Sequence, residues 1–258
     1  MNDAQMSQLV PFWAGQKVEW TSLGGGFTNQ SFCAVVDDTK FVVRVNNAAL
    51  GLDRTFERKV LWFAQAAGVG PRVAFASADV LVCHWIDGGS FTQEGIRQID
   101  VVKRVAKFLR RVHSWPIPGH RLSVADIAHG YLRKIRKPTQ EHQSLLREVT
   151  RAAEELENLS RPRCLCHNDP SYGNWIEADN LILLDWEYAG VGDPLFDLAM
   201  FSYYHTLSFD AVKLLLQEYL GEVGPTDIRA FELNLILVRA LCVLWWAMME
   251  PHKPKDSM

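Results

Sequence analysis

The feature that most restricts the fold of this chain is a pair of short apolar runs inside a half of the sequence that otherwise has helical spacing. The first run is CLC at 164–166, and the second is LILL at 181–184. Polar residues follow each run at once, HND after the first and Asp185 after the second. Pro170 and Gly173 predict a loop between the two runs, and EADN is a turn signal. The pattern predicts a short hairpin held among helices.

The first third of the chain has a different pattern. Residues 18–45 contain strand-like segments around the glycine-rich turn GGGFTN, and residues 56–67 carry apolar side chains at the spacing of one amphipathic helix. The stretch IDGGS is a natural boundary, and mostly helical segments follow it. We therefore predict an α+β fold with a small β-rich lobe at 1–86 and a larger, mainly helical lobe at 87–258. A ligand is expected between such lobes.

Composition limits the classes of partner. The net charge of -3 does not supply the basic face of a nucleic-acid-binding protein. An odd number of cysteines, five, without zinc spacing or a secretion signal, predicts a cytoplasmic protein. Cys164 and Cys166 lie on a predicted strand, and we expect their side chains on opposite faces. The apolar run at 240–249 is shorter than the ~20 residues of a membrane span, so we expect a buried helix, with the oligomeric state left open.

Three polar residues around the predicted hairpin have the chemistry that phosphoryl transfer requires. That reaction needs a carboxylate to orient the attacking hydroxyl and accept its proton, and oxygen ligands to hold Mg²⁺ on the nucleotide phosphates. Mg²⁺ prefers carboxylate and amide oxygens. Asp169 is the candidate base, and Asn174 and Asp185 are the candidate metal ligands. We expect His167 to hydrogen-bond the loop backbone and Asp197, on a following helix, to brace the same loop.

The upstream lobe supplies candidate nucleotide contacts. Gly25 and Gly26 have no Cβ, so their backbone N–H groups can approach phosphates closely, and Asn29 ends the same turn. Arg44 interrupts the apolar strand FVVRV, and Glu57 lies on the following helix within its reach. A strand cation paired with a helix glutamate orients nucleotide phosphates in protein-kinase-like lobes. The alternative for this pair is an ordinary surface ion pair, which contributes little.

At this point the motifs resemble a known family. HNDPSYGNW followed by LLDWEYAGVGDPLFDLA resembles the choline kinase and aminoglycoside phosphotransferase superfamily. The DWEYAG form and the GGGFTN loop are most similar to the choline/ethanolamine kinase and thiamine kinase branches. The resemblance runs from about residue 23 to 249. It implies a two-lobed protein-kinase-like fold, the cofactors ATP and Mg²⁺, and phosphorylation of an alcohol on a small molecule.

The resemblance also assigns roles to single positions. It implies the catalytic role for Asp169 and metal binding for Asn174 and Asp185. Arg44 stands where aminoglycoside kinases carry lysine, and the planar guanidinium predicts a phosphate contact different from that of a lysine. Glu187 is placed as a candidate contact of the substrate side of the site.

Late aromatic residues bear on the substrate. Trp245 and Trp246 lie where choline kinases place part of an aromatic pocket, and aromatic faces hold quaternary ammonium groups. The alternative is that these residues are core side chains of an apolar helix. We predict an ATP- and Mg²⁺-dependent kinase of a small cationic alcohol, choline first, thiamine next and ethanolamine third. An aminoglycoside phosphotransferase and a non-catalytic nucleotide-binding protein are the remaining alternatives.

Overall fold

The computed structural model of the chain describes residues 9–24, 29–48, 51–116, 119 and 121–249. These residues form a mixed helix and strand architecture, which confirms the α+β fold predicted from the sequence. They divide into two compact units. The first contains the described residues up to Phe91 together with Gly173–Ala189, and the second contains Thr92–Tyr172 and Gly190 onward. The lobe boundary predicted between residues 86 and 87 stays a prediction.

The first unit is built on a five-stranded antiparallel sheet with the order β1-β2-β3-β5-β4. Its strands are β1 Glu19–Leu23, β2 Gln30–Val36, β3 Thr39–Val45, β4 Val73–Ala76 and β5 Val80–His84. Asp37 and Asp38 join β2 to β3 with φ of 46° and 61°. Two positive φ values in a two-residue hairpin loop match the twist of the flanking strands. The register of β3 sets Arg44 opposite Ser31 on one side and Leu81 on the other.

One amphipathic helix, α1 at Arg54–Ala66, follows β3 in the chain. Asp53 caps it by accepting hydrogen bonds from the backbone N–H groups of Thr55 and Phe56, both at 3.0 Å. Its buried side chains are Phe56, Glu57, Val60, Leu61 and Ala64. Gly68, with φ of 67°, follows its end, in the left-handed conformation that glycine adopts after helices.

A second, three-stranded sheet with the order β6-β8-β9 completes the first unit. Its strands are β6 Gly89–Ser90, β8 Trp175–Glu177 and β9 Leu181–Leu183. Strands β8 and β9 form a hairpin that is closed by the predicted EADN turn. The sequence predicted a hairpin between the runs at 164–166 and 181–184, and that pairing was wrong, because the run at 164–166 pairs with residues 190–192 instead. The backbone N–H of Leu183 donates to the carbonyl of Val69 at 2.9 Å, which ties the hairpin to the segment after α1.

The second unit is mainly helical, as predicted. Its helices are α2 Ile99–His113, α3 Val124–Lys134, α4 Gln140–Asn158, α5 Leu195–Tyr204, α6 Phe209–Leu220 and α7 Pro225–Met249. Strand β7, Cys164–Cys166, pairs antiparallel with β10, Gly190–Gly192. Helix α7 is long and apolar enough to cross a membrane, with a mean hydropathy of 1.6 over its best window, but 56% of that window is buried inside the fold. Its length and burial are those of a core helix.

The expectation for Cys164 and Cys166 was wrong. Their sulfur atoms lie within 4.8 Å of each other, so both side chains project from the same side of β7. The physical reason is the period of two along a strand: residues i and i+2 share a face, and only adjacent residues alternate.

Candidate active site

Arg44 occupies the centre of a buried charge cluster in the first unit. Its Nη1 donates to Oδ1 of Asp185 at 2.6 Å, and its Nη2 donates to Oε1 of Glu57 at 2.5 Å. Its Nε donates to Oδ1 of Asn46 at 3.1 Å. The guanidinium is 8% exposed, so the pairing with Glu57 expected from the sequence is a buried contact rather than a surface ion pair. The nearby acids raise the pKa of Arg44, which keeps it charged.

A second cation, Arg54 at the start of α1, joins this cluster and was missed by the sequence reasoning. Its Nη1 lies 2.8 Å from Oε2 of Glu57 and 2.8 Å from Oε2 of Glu187. Its Nη2 donates to Oδ1 of Asn29 at 3.2 Å. The i,i+3 spacing of Arg54 and Glu57 on one helix was the available signal. No local pattern pointed to Glu187, which is 133 residues away in the chain.

Asn29 and Glu187 are bonded to each other within the same cluster. Nδ2 of Asn29 donates to Oε2 of Glu187 at 2.7 Å, and Oδ1 of Asn29 accepts from the backbone N–H of Asn47 at 3.0 Å. The Glu187 side chain has no exposed surface. These bonds fix the end of the glycine-rich turn, while the nucleotide contact of Asn29 and the substrate contact of Glu187 stay predictions. Gly25 and Gly26 lie outside the described residues.

The pKa of Asp185 is raised within this cluster. Burial, followed by the repulsion of Glu187, raises its pKa to about 7, and Arg44 opposes that shift. The cluster holds three carboxylates, those of Asp185, Glu57 and Glu187, against the two guanidinium groups. When all three carboxylates are ionised, the cluster carries one negative charge in excess. The Asp185 side chain keeps 31% of its surface exposed, so that excess charge is accessible from solvent.

The backbone presents Asp185 at a specific point. Asp185 has φ of 60° and ψ of 62°, in the left-handed region, and it starts a short 3-10 turn at Trp186–Tyr188. Such a conformation is costly for a residue with a side chain, and it is typical of functional sites. The backbone carbonyl of Asn174 accepts from the N–H of Leu184 at 2.8 Å. This bond brings Asn174 and Asp185 to the same end of the β8–β9 hairpin.

These two residues fit a divalent cation by their chemistry. Asp185 offers a carboxylate and Asn174 an amide oxygen, and both are donors that Mg²⁺ prefers. A cation beside Asp185 would offset the excess negative charge and the raised pKa of its carboxyl group. The described residues of the first unit therefore suit the magnesium site that the sequence predicted.

The loop that carries Asp169 belongs to the second unit. Asp197 accepts hydrogen bonds from the backbone N–H groups of His167 and Asn168, both at 2.7 Å. Nδ1 of His167, which is fully buried, accepts from the N–H of Asp169 at 3.2 Å. The contacts expected of His167 and Asp197 are thus present. Asn168 has φ of 66°, a left-handed conformation that asparagine tolerates and that turns the chain before Asp169.

Two further residues support Asp197 from other helices, and the sequence reasoning missed both. Nε2 of His113, at the end of α2, lies 3.0 Å from Oδ2 of Asp197. Nδ1 of the same imidazole lies 2.8 Å from the hydroxyl of Tyr219 on α6. Asp197 is completely buried and His113 is 8% exposed. The aspartate is therefore held in a dry environment, where charge-assisted hydrogen bonds are strong.

The second unit holds exposed aromatic side chains, of which Tyr204 lies near Asp169. Tyr204 lies close enough to Asp169 that the carboxylate helps to raise the pKa of its phenol, after burial and Cys242. The rings of Trp245 and Trp246 meet edge to face, with centroids 4.9 Å apart. Trp246 is 39% exposed and Trp245 is partly exposed, so neither indole is a fully buried core side chain. Their contact with a substrate stays a prediction.

Comparisons with known proteins agree with this architecture. A model of the phosphotransferase enzyme family matches residues 19–231. The protein LicA of Haemophilus influenzae is 27% identical over 254 residues, which cover 93% of this chain and 75% of that protein. A thiamine kinase of Escherichia coli is 26% identical over 205 residues, which cover 77% of this chain and 70% of that protein.

Solved structures agree on the fold. The crystal structure of the choline kinase LicA from Streptococcus pneumoniae has a TM-score of 0.83 to this chain at 20% identity, covering 99% of this chain and 93% of that chain. This likeness confirms the kinase-like fold predicted from the sequence. Because the family model spans most of the sequence, the chain belongs to the phosphotransferase enzyme family.

Proposed function

We propose that the chain is an ATP- and Mg²⁺-dependent kinase that phosphorylates the hydroxyl group of a small cationic alcohol, with choline as the first candidate. The observation that carries this proposal is the pair of bonds from Arg44 to Asp185 and Glu57, which sets a strand cation between a candidate metal ligand and a helix glutamate. Such an arrangement orients nucleotide phosphates in kinase-like lobes. The family supplies the reaction class.

Each residue has a defined task in this proposal. Asp169 orients the alcohol and accepts its proton, while the new O–P bond forms and the bond from the γ-phosphorus to the bridging oxygen breaks to release ADP. Asn174 and Asp185 would hold Mg²⁺, which offsets the charge of the phosphates when bound. Among the described residues, Arg44 uses three of its five N–H groups on Asp185, Glu57 and Asn46, and the other two would donate to a phosphate oxygen.

The proposed substrate class rests on aromatic residues of the second unit. A quaternary ammonium has no N–H group to donate, so a protein holds it on aromatic faces. Tyr204, Trp245 and Trp246 supply such faces in the second unit, close to the proposed base in the case of Tyr204. Choline and thiamine both combine a quaternary cation with a primary hydroxyl. The similarity of this chain to the choline kinase LicA supports choline as the first candidate, and its similarity to a thiamine kinase supports thiamine as the second.

The experiment is a measurement of ADP release by the purified chain with Mg²⁺ and ATP, one alcohol at a time. The panel is choline, thiamine, ethanolamine and kanamycin, and mass spectrometry identifies the phosphorylated product. Turnover with choline supports the proposal, and turnover with thiamine alone replaces it by the second candidate. Turnover with kanamycin alone contradicts the cationic-alcohol assignment. No turnover with any of the four, in a chain that binds Mg²⁺–ATP, favours a non-catalytic nucleotide-binding protein.

A further inference from the structure

Behind the loop of Asp169 lies a second group of side chains that phosphoryl transfer does not use. His113 from α2 meets Cys164 and Cys166 from β7, with an imidazole nitrogen and the two Sγ atoms all within 4.8 Å of one another. Because the two cysteines share one face of the strand, both sulfur atoms point at the same imidazole. Two thiols and one imidazole are the donor types that thiophilic cations such as Zn²⁺ select.

The imidazole is arranged as it is in many metal sites. Nε2 of His113 lies 3.0 Å from a carboxylate oxygen of Asp197, which leaves Nδ1 as the ligand nitrogen. Metal-binding histidines commonly donate their other N–H to a carboxylate, which fixes the tautomer and raises the basicity of the ligand nitrogen. The Tyr219 hydroxyl occupies Nδ1 in this structure, at 2.8 Å. Burial, followed by the two thiols, raises the pKa of the Tyr219 phenol.

The group is accessible from the surface. An open cavity of about 460 Å³ is lined by His113 and Cys164, together with Trp115, Pro116, Arg163 and Val191. Cys164 is partly exposed, whereas Cys166 is fully buried and completes the far side of the group. A small ion can therefore reach Cys164 and His113 from the cavity, with the Cys166 sulfur within 4.8 Å of both ligand atoms.

Charged side chains of both signs surround the two sulfur atoms. Burial, and to a smaller extent the negative charges of Asp197 and Asp193, raise the pKa of the Cys166 thiol. Asp193 is paired with Arg161, and Arg163 on the wall of the cavity shares the carboxylate of Glu157 with Arg121. The acids and arginines described around the sulfur atoms are therefore close to balanced in charge.

We propose that His113, Cys164 and Cys166 form a binding site for a thiophilic divalent cation of the Zn²⁺ class. On binding, the two S–H bonds break, two protons leave to solvent, and two metal–sulfur bonds form without any change in oxidation state. Nδ1 of His113 exchanges its hydrogen bond from Tyr219 for a bond to the metal, and a water from the cavity fills the fourth position of the tetrahedron. The bond from Nε2 to Asp197 remains.

This arrangement has a consequence for the base of the catalytic loop. Asp197 accepts hydrogen bonds from the backbone of His167 and Asn168. A cation bound to His113 would restrict the motion of this imidazole, which is hydrogen-bonded to Asp197. A ligand that binds the folded state alone stabilises it in proportion to the logarithm of its concentration over its dissociation constant. The expected effect is therefore a higher melting temperature, with turnover in Mg²⁺ and ATP retained.

The test uses Cd²⁺ as a spectroscopic probe for Zn²⁺ on the full, reduced chain. Cadmium–thiolate bonds give an ultraviolet charge-transfer band, which we expect to saturate at one equivalent and to be displaced by Zn²⁺. Cys164→Ser and Cys166→Ser should each weaken Cd²⁺ binding by about 100-fold or more, since direct ligands matter more than their hydrogen-bond partners. Cys33→Ser, which removes a partly buried thiol on β2, is the matched control and should bind as the unaltered chain does.

Tyr219→Phe provides a test that a merely structural role would not pass. It removes the hydroxyl that competes for Nδ1 and should tighten Cd²⁺ binding, whereas a tyrosine that only packs would leave the affinity unchanged or lower it. The proposal is overturned if no band saturates at one equivalent, or if Cys33→Ser weakens binding as much as Cys164→Ser does. Should Cys166→Ser fail to fold, Cys164→Ser at the partly exposed position still decides the question.

Discussion

Nη1 of Arg44 lies 2.6 Å from Oδ1 of Asp185, although the two residues are 141 positions apart in the chain. The bond joins strand β3 to the end of the β8–β9 hairpin within the first compact unit. It makes the position of the candidate metal ligand depend on a buried cation that also holds Glu57. The stability of this unit and its affinity for nucleotide are therefore expected to change together when Arg44 is replaced.

Replacing Arg44 by methionine should destabilise the chain strongly. The substitution leaves buried carboxylates without their main partner, and breaking a buried ion pair from one side costs about 3–5 kcal/mol. We expect a free energy of unfolding lower by about that amount in urea denaturation, with a higher KM for ATP. Lys40→Met, at an exposed position on the same strand, is the control and should change neither quantity. Equal effects of the two substitutions would contradict the role given to Arg44.

Asp197→Asn should lower kcat more than it raises any KM. The substitution removes the charge that accepts from two backbone N–H groups of the catalytic loop, and hydrogen bonds to charged groups contribute about 1.5–3 kcal/mol each. A loosened loop misplaces Asp169, so we expect kcat to fall by about 10- to 100-fold with the KM for ATP nearly unchanged. Asp210→Asn, in the exposed first turn of α6, serves as the reference variant. An unchanged kcat in Asp197→Asn would contradict the prediction that Asp197 holds the catalytic loop in place.

Much of the fold and part of this site follow from local patterns. Strands β2 and β3 and helix α1 could be predicted from the spacing of their apolar side chains, which has a period near two in a strand and 3.6 in a helix. The pairing of Arg44 with Glu57 could be predicted because strand and helix are consecutive. In contrast, the bond between Arg54 and Glu187 and the bond between His113 and Asp197 join residues 133 and 84 positions apart. No local periodicity encodes such contacts, which arise only when distant segments pack together within each unit.

The position of Cys164 and Cys166 shows a different kind of miss. The information was in the sequence, since C-x-C on a strand places both side chains on one face. The proximity of His113 to these cysteines could not be predicted, because His113 lies at the end of α2, far away in the chain. A set of ligands that comes from a strand and from a distant helix has no characteristic spacing in the sequence.

His205 predicts a pH dependence of stability. Burial lowers its pKa from 6.5 to about 4, and its Nε2 has no hydrogen-bond partner among the described residues. Between those two values the unfolded chain binds the proton and the folded chain does not, so the free energy of unfolding falls as the pH falls from about 6.5 to about 4. The contribution of this one group is up to about 3 kcal/mol.

Urea unfolding at several pH values measures this effect. His205→Gln should flatten the slope in that window, because the residue that protonates on unfolding is gone. His129→Gln, at an exposed position on α3, should leave the slope as it is. A slope that persists in His205→Gln would assign the pH dependence to other groups.

Trp246→Ala should weaken the alcohol substrate without affecting the nucleotide. A cation on an aromatic face gains about 0.5–2 kcal/mol, so the KM for choline is expected to rise by about 2- to 30-fold. The KM for ATP should stay the same. Trp62→Ala removes an indole of greater exposure from α1 and provides the comparison. Equal KM values for choline in the unaltered chain and Trp246→Ala would exclude this indole from the substrate site.

The most direct test of the central claim is the mass of the product that forms from choline with Mg²⁺ and ATP, measured in parallel for the unaltered chain and Asp169→Asn. We expect phosphocholine and ADP in equal amounts from the unaltered chain. In the variant we expect product formation to be lower by about 10²-fold or more, with Mg²⁺–ATP binding retained. Near-normal formation of phosphocholine by Asp169→Asn would contradict the assignment of the base and, with it, the proposed mechanism.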